Sequence, residues 1–177
     1  MLRILRPWII GAALLIPAVT LARGPVTLTV PASADTTLYE DSEGLVSNGA
    51  GMHVYVARTR GSLLRRALVR FDLSSVPPDA IVASATLTLH QSRASNSSDE
   101  GEPVSIHRVL TAWGEGASDA GDPGGGGAIA ETDDATWVHR FHASQAWAQP
   151  GGDFAPAPSA LALVTRFDGP ASWSSPG

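Results

Sequence analysis

Apolar and polar residues alternate with period two in several short segments of this chain, a pattern that puts one face of a strand into a core. VTLTV (26–30) and TTLYE (36–40) come first, separated by the turn-like PASAD. In MHVYVA (52–57), Met52, Val54 and Val56 share one face, and His53 and Tyr55 the other. RALVRFDL (66–73) divides into Ala67, Val69, Phe71 and Leu73, read as inward, and Arg66, Leu68, Arg70 and Asp72, read as outward. After the turn SSVPPDA, ATLTLHQ (85–91) offers Ala85, Leu87 and Leu89 to the core and Thr86, Thr88 and His90 to solvent. VSIHRVL (104–110) follows, and the polar SRASNSSDEGEP before it reads as an exposed loop joining two paired strands.

Short strands separated by Gly, Pro and Ser turns, without helical periodicity, predict an all-β fold, an antiparallel β-sandwich of the jelly-roll kind. A parallel sheet would need crossover helices, and the pattern supplies none. Beyond Trp113 the texture changes. GEGASDAGDPGGGG is a long polar loop, and short helical turns are allowed within 136–147. No internal repeat is evident.

The first residues fall outside this pattern. MLRILRPWIIGAALLIPAVTLA has Arg3 and Arg6, an apolar run from Trp8 to Ile16, and a small-residue end at Thr20-Leu21-Ala22, the three parts of an export signal. Pro17 interrupts the run before the roughly 20 apolar residues that cross a bilayer, and no later segment is apolar enough to span. The expected organisation is a signal over 1–22, an N-terminal strand or linker over 23–32, and one β-sandwich domain over 33–177. The expected destination is outside the cell, with the periplasm or the cell surface as alternatives.

Charge and composition narrow the chemistry. The formal charge is −5, and loss of Arg3 and Arg6 with the signal makes the mature chain two units more negative. There is no lysine and no basic cluster larger than Arg65-Arg66, so the electrostatic footprint of a nucleic-acid binder is missing. Without cysteine there is no disulfide, thiolate metal site or cysteine nucleophile.

The stretch DDATWVHRFHASQAWAQPGGDF (133–154) concentrates aromatic and titratable residues, and zinc, catalysis, sugar stacking and plain core all compete for it. His139 and His142 form H-x-x-H but lack the glutamate of H-E-x-x-H and a placed third ligand. No G-x-S-x-G is present, and GDPGGGG has no lysine to complete a phosphate loop. Asp35 before a strand, with Glu40 and Asp41 after it, offers hard oxygen ligands for a structural calcium; a solvated turn is the alternative. No other cofactor is expected. Tyr55, Arg66, Arg70, His90 and His107 lie on strand faces opposite the expected core, where tyrosine can stack on sugar rings and arginine can pair with carboxylates. Trp137 and Trp147 are expected to anchor the core.

The order ADTTLYE, RALVRFDLSSVPPDAIVASATLTLH, VSIHRVLTAWGEG, DDATWVHRFHASQAW and PGGDF resembles the DNRLRE-type domain of secreted bacterial proteins over about residues 33–154. The most specific piece is Leu68, Arg70, Phe71 and Asp72, followed by a Pro-containing turn and Ala85-Thr86-Leu87-Thr88-Leu89. The resemblance implies a jelly-roll sandwich and a secreted, non-catalytic module that binds polysaccharide or a cell-surface glycan, and it carries over no catalytic residue. The alternative is a structural or adhesion module of a surface or matrix protein with no small ligand. A polysaccharide lyase or glycosidase would need a convergent pair of carboxylates that no spacing places. Such domains continue past PGGDF through closing strands, so a chain ending in ALALVTRFDGPASWSSPG is expected to form a sandwich incomplete at its C-terminus.

Overall fold

The computed structural model describes residues 24–94 and 100–176; the export-signal segment lies outside them. Every regular element among them is a strand, and every pairing is antiparallel. The main sheet is built on Ala32–Tyr39 (β1), which pairs along its length with Leu64–Phe71 (β4). Short Ala57–Arg58 (β3) adds to the other edge of β4. Val46–Ser47 (β2) pairs with Ala128–Ile129 (β7), and this tie draws the glycine-rich loop back over the sheet.

Ser84–Gln91 (β5) and Glu102–Ile106 (β6) are expected to pair with each other, but they do not. Each takes a partner from the C-terminal stretch instead. Ala160–Val164 (β10) runs against β6, and Gly169–Pro176 (β11) runs against β5. The stretch ALALVTRFDGPASWSSP, 160–176, therefore carries two strands. The two ribbons meet across Trp173, 5% exposed, whose Nε1–H donates from β11 to Val104 O on β6 at 2.7 Å.

His139–Phe141 (β8) and Gln145–Ala146 (β9) form a small hairpin where helical turns were allowed. It belongs to a long irregular segment, 113–154, that covers one face of the main sheet. Asp134 fastens this segment from inside. It is fully buried, and its carboxylate accepts the backbone N–H of Glu131 at 2.6 Å and of Ser118 at 3.4 Å. Gly116 lies against it at φ +75°, where a β-carbon would overlap Asp134 Oδ1. Only glycine fits there, on grounds of both conformation and space.

The core sits between the main sheet and this segment: Ala34, Leu38 and Leu68 from the strands, and Trp113, Ala135, Trp137 and Trp147 from the cover. The face of β4 is thus the reverse of the one expected. Leu68 is buried, while Leu73 is 61% exposed beyond the strand. The reason is the register: Ala34, Thr36 and Leu38 lie opposite Arg70, Leu68 and Arg66, and opposed residues share a face. Two other expectations also fail. VTLTV is not a strand, and MHVYVA lies almost wholly outside any strand, with Met52 at 80% and Val56 at 55% exposure.

Candidate functional site

An arginine on a core-facing strand face must keep its charge near water while its stem is buried, and an aromatic ring gives the guanidinium a surface to lie on. Both core-facing arginines of β4 do this. Arg70 lies 5.0 Å from the Trp113 ring centroid and donates to Trp113 O at 3.0 Å. Arg66 lies 4.8 Å from Trp137 and 5.0 Å from Phe154, and its Nη1 donates to Gly151 O at 2.6 Å. Burial pulls the Arg66 pKa below the ordinary arginine value, and the nearby charge of Glu40 opposes that shift.

The sequence Gln-Pro-Gly-Gly-Asp brings Phe154 to Arg66. Asp153 closes the turn by accepting the N–H of Ala148 at 3.0 Å and of Gln149 at 3.2 Å, while Thr111 Oγ1 donates to the same carboxylate at 3.4 Å. Leu110 N–H donates to Asp153 O, and Val109 bridges Phe154, so the turn is stitched to the segment that follows β6. The result is an open cleft of about 580 Å³ lined by Arg66, Leu110, Thr111, Gln149, Asp153 and Phe154 among others. Its size lies within the range of small-molecule sites, and it combines one partly exposed ring, one planar cation and several polar side chains. Phe154 is 36% exposed, whereas Trp113, Trp137 and Trp147 are all under 9%.

Of the five residues named as ligand contacts, the fold brings Arg66 and His107 to this region. His107 packs edge-on against Phe154 at 5.3 Å, and its two ring nitrogens lie 2.9 Å from Ser105 Oγ and from Ala155 O. Arg70 is at the Trp113 end of the same face. Tyr55 is on the other side of the main sheet, tilted against Tyr39 at 6.4 Å, with its hydroxyl donating to Pro123 O. His90 is on the β5–β11 ribbon, paired with Asp168 at 2.8 Å and exposed. No single surface gathers all five.

The three acids named for calcium have separate partners. Asp41 accepts the N–H of Glu43 at 3.2 Å and of Leu45 at 2.8 Å, which holds a tight turn. Glu40 accepts Leu64 N–H at 2.6 Å. Asp35 faces Glu115, whose Oε1 accepts the Asp35 backbone N–H at 2.9 Å; burial first, and the Glu115 charge second, raise the Asp35 pKa. Among the described residues no group of three or more His, Asp or Glu side chains is assembled to hold a metal. His139 and His142 do meet, edge to face at 5.3 Å, beside the Thr136 hydroxyl.

The residues of the cleft that sequence reasoning did not single out are Thr111, Gln149, Asp153 and Phe154. Their signal was the composition of the turn: an acid four to five residues after two N–H groups that it can accept from, followed at once by an aromatic ring.

Comparison with known proteins gives one match. No curated protein and no solved structure matches this chain. Residues 26–118, more than half of the chain, match the sequence model of carbohydrate-binding module family 96. That span contains β1 to β6, including Arg66 and the 110–111 wall of the cleft, while the 148–154 turn lies beyond it. An all-β scaffold carrying an open cleft with a ring and polar groups agrees with the match, and the chain belongs to carbohydrate-binding module family 96.

Proposed function

We propose that this chain is a secreted, non-catalytic module that binds polysaccharide in the Arg66–Phe154 cleft. The observation that carries the proposal is the guanidinium of Arg66 held between Trp137 and Phe154 at the wall of an open cleft, in a chain of a carbohydrate-binding family. A sugar ring stacks its C–H face on the exposed part of Phe154, and its hydroxyls bond to Gln149 and Thr111. Donors of Arg66 other than Nη1 face an acceptor on the sugar. Export rests on the pattern of residues 1–22, and the finer likeness to DNRLRE-type domains rests on the β4 motif and the turn after it.

Electrophoresis of the mature chain through gels containing neutral or uronic-acid polysaccharides tests the proposal. Retardation by at least one of them, lost in Gln149→Ala and Phe154→Ala, is the expected result; migration unaffected by every polysaccharide overturns it. One observation favours a second reading, a structural module without a small ligand: the three large rings Trp113, Trp137 and Trp147 are all buried. That reading expects no retardation in any gel.

A further inference from the structure

The β5–β11 ribbon leaves one edge of β5 open. β11 pairs with β5 over eight residues without a shift of register, and no other strand lies beside β5 among the described residues. Which backbone groups face that open edge follows from β11. Pro170 stands opposite His90 and has no N–H to give, so that pair is of the non-hydrogen-bonded kind. The hydroxyl contacts agree: Thr86 Oγ1 lies 3.0 Å from Ser174 Oγ and Thr88 Oγ1 2.9 Å from Ser172 Oγ, and side chains approach most closely in such pairs. Ala85, Leu87, Leu89 and Gln91 therefore bond to β11, while Ser84, Thr86, Thr88 and His90 turn their N–H and C=O groups outward. These four residues are all exposed, and no backbone group of another segment meets them among the described residues.

A row of unpaired strand groups is a template for another strand, and proteins blunt such edges with lysine, proline, a bulge or a very short strand. β5 has none of these. SATLTLHQ contains no proline, lysine or acid, and His90 is its one titratable side chain. The neighbouring edges are protected: the outward positions of β11 begin with Pro170, while β6 carries Glu102 and Pro103 and has its Val104 O taken by Trp173. What fits the β5 edge best is β5 itself. Run antiparallel about a two-fold axis at Leu87, it sets Thr86 opposite Thr88 and Ser84 opposite His90 of the second copy, each pair exchanging two backbone bonds. Leu87 then meets Leu87, and Leu89 meets Ala85, on the face that carries Trp173 inward. Within the paired strands no charge opposes a like charge.

We infer that the chain forms a two-fold dimer through the β5 edge, which turns two ribbons into one four-stranded sheet in the order β11-β5-β5-β11. A two-stranded ribbon is marginal by itself, and the added strands cover the flanks of half-buried Leu87 and Leu89. The dimer does not depend on carbohydrate binding. Where the proposed function holds, it presents two Arg66–Phe154 clefts to one polysaccharide, which is then held more tightly than by a single chain.

Sedimentation equilibrium of the mature chain, without any sugar, tests the inference: the mass is expected to rise from one chain towards two with concentration. Thr88→Pro, at an outward N–H that β11 does not use, weakens dimerisation about tenfold or more in a chain that still unfolds cooperatively. Thr86→Lys/Thr88→Lys gives monomers, and an equimolar mixture with Thr86→Glu/Thr88→Glu restores dimers, because each lysine then faces a glutamate. The chain has no cysteine, so single-cysteine variants report the register under mild oxidation. Across the axis the two Leu87 α-carbons stand about 4.5 Å apart, within disulfide reach, and the two Thr88 α-carbons roughly 7–8 Å apart, beyond it. Leu87→Cys is expected to cross-link to itself, and Thr88→Cys is not. A chain that is monomeric at every concentration overturns the inference and leaves the proposed function standing. A dimer unaffected by both Thr88→Pro and the lysine pair, or cross-linking at Thr88→Cys and not at Leu87→Cys, overturns the assignment to the β5 edge in this register.

Discussion

Replacing Trp137 with alanine separates a core role for the aromatic stretch from a ligand-stacking role. Trp137 is 8% exposed, belongs to the cluster with Leu38, Leu68, Trp113 and Trp147, and supports the Arg66 guanidinium at 4.8 Å. Its carbonyl also accepts Gly151 N–H at 2.6 Å, so the loss of the ring is felt at the turn that presents Phe154. Truncating a buried tryptophan costs about 3–5 kcal/mol, and the lost cation–π contact adds about 0.5–1 kcal/mol at a partly exposed site. The sum is a large share of the roughly 5–15 kcal/mol that holds a domain together. At about 2–4 °C per kcal/mol for a domain of this size, the melting temperature falls by on the order of 7–24 °C. Thermal and urea unfolding followed by circular dichroism measure it, with Phe154→Ala as the exposed-ring comparison at about 1 kcal/mol. If Trp137→Ala unfolds within about 1 kcal/mol of the parent chain and yet abolishes polysaccharide retardation, the ring is a binding platform and the assignment of the core is wrong.

Other expectations follow from individual groups. Asp35 is raised above the usual aspartate range by burial and by Glu115, so its contribution is fully present below the unfolded value of 3.8 and is lost as pH rises through the folded one. Asp35→Asn therefore raises the melting temperature at pH 7 and changes little at pH 3; equal effects at both would refute the coupling. Tyr39 is pushed up to about 12, mainly by burial, so the unfolded chain loses its phenolic proton first and stability falls as pH rises from about 10 to 12. Ultraviolet titration of native protein against Tyr39→Phe checks this, and a Tyr39 signal titrating near 10 would contradict it. Asp134→Ala leaves the part-buried N–H of Glu131 and the buried N–H of Ser118 without their acceptor and is expected to cost about 2–5 kcal/mol in urea unfolding. A cost below about 0.5 kcal/mol would show that the carboxylate does not fasten the cover.

The strands that carry contrast between adjacent positions were legible in the sequence. Thr-Leu alternation in β5 and the charged-apolar alternation of β4 located both elements. The facing of β4 was not legible, because the rule that sends arginine outward does not count the rings of Trp113, Trp137 and Phe154, which arrive from far along the chain and let Arg66 and Arg70 lie over the core. β10 was hidden for the opposite reason. In ALALV both faces are apolar, so no period emerges, and the Pro and Ser residues of β11 look like turn. Partner choice was also beyond local pattern: β5 and β6 pair with strands about 85 and 60 residues later, where a hairpin rule pairs them with each other.

The cleft shows the same division. Arg66 and His107 were accessible as exposed-looking residues in strand patterns, but Phe154 acquires its role only when the Asp153 turn folds and sets it against Arg66. Tyr55 looked like a stacking residue by alternation. Its hydroxyl donates to Pro123 O of the glycine-rich loop, and its ring tilts against Tyr39.

Isothermal titration of the parent chain and of Phe154→Ala with the polysaccharide that retards the parent in a gel tests the central claim most directly. Loss of an aromatic stacking surface worth about 1–1.5 kcal/mol predicts a roughly tenfold weaker affinity in a variant that still unfolds cooperatively near the parent temperature. An unchanged affinity in that folded variant would contradict the assignment of carbohydrate binding to the Arg66–Phe154 cleft.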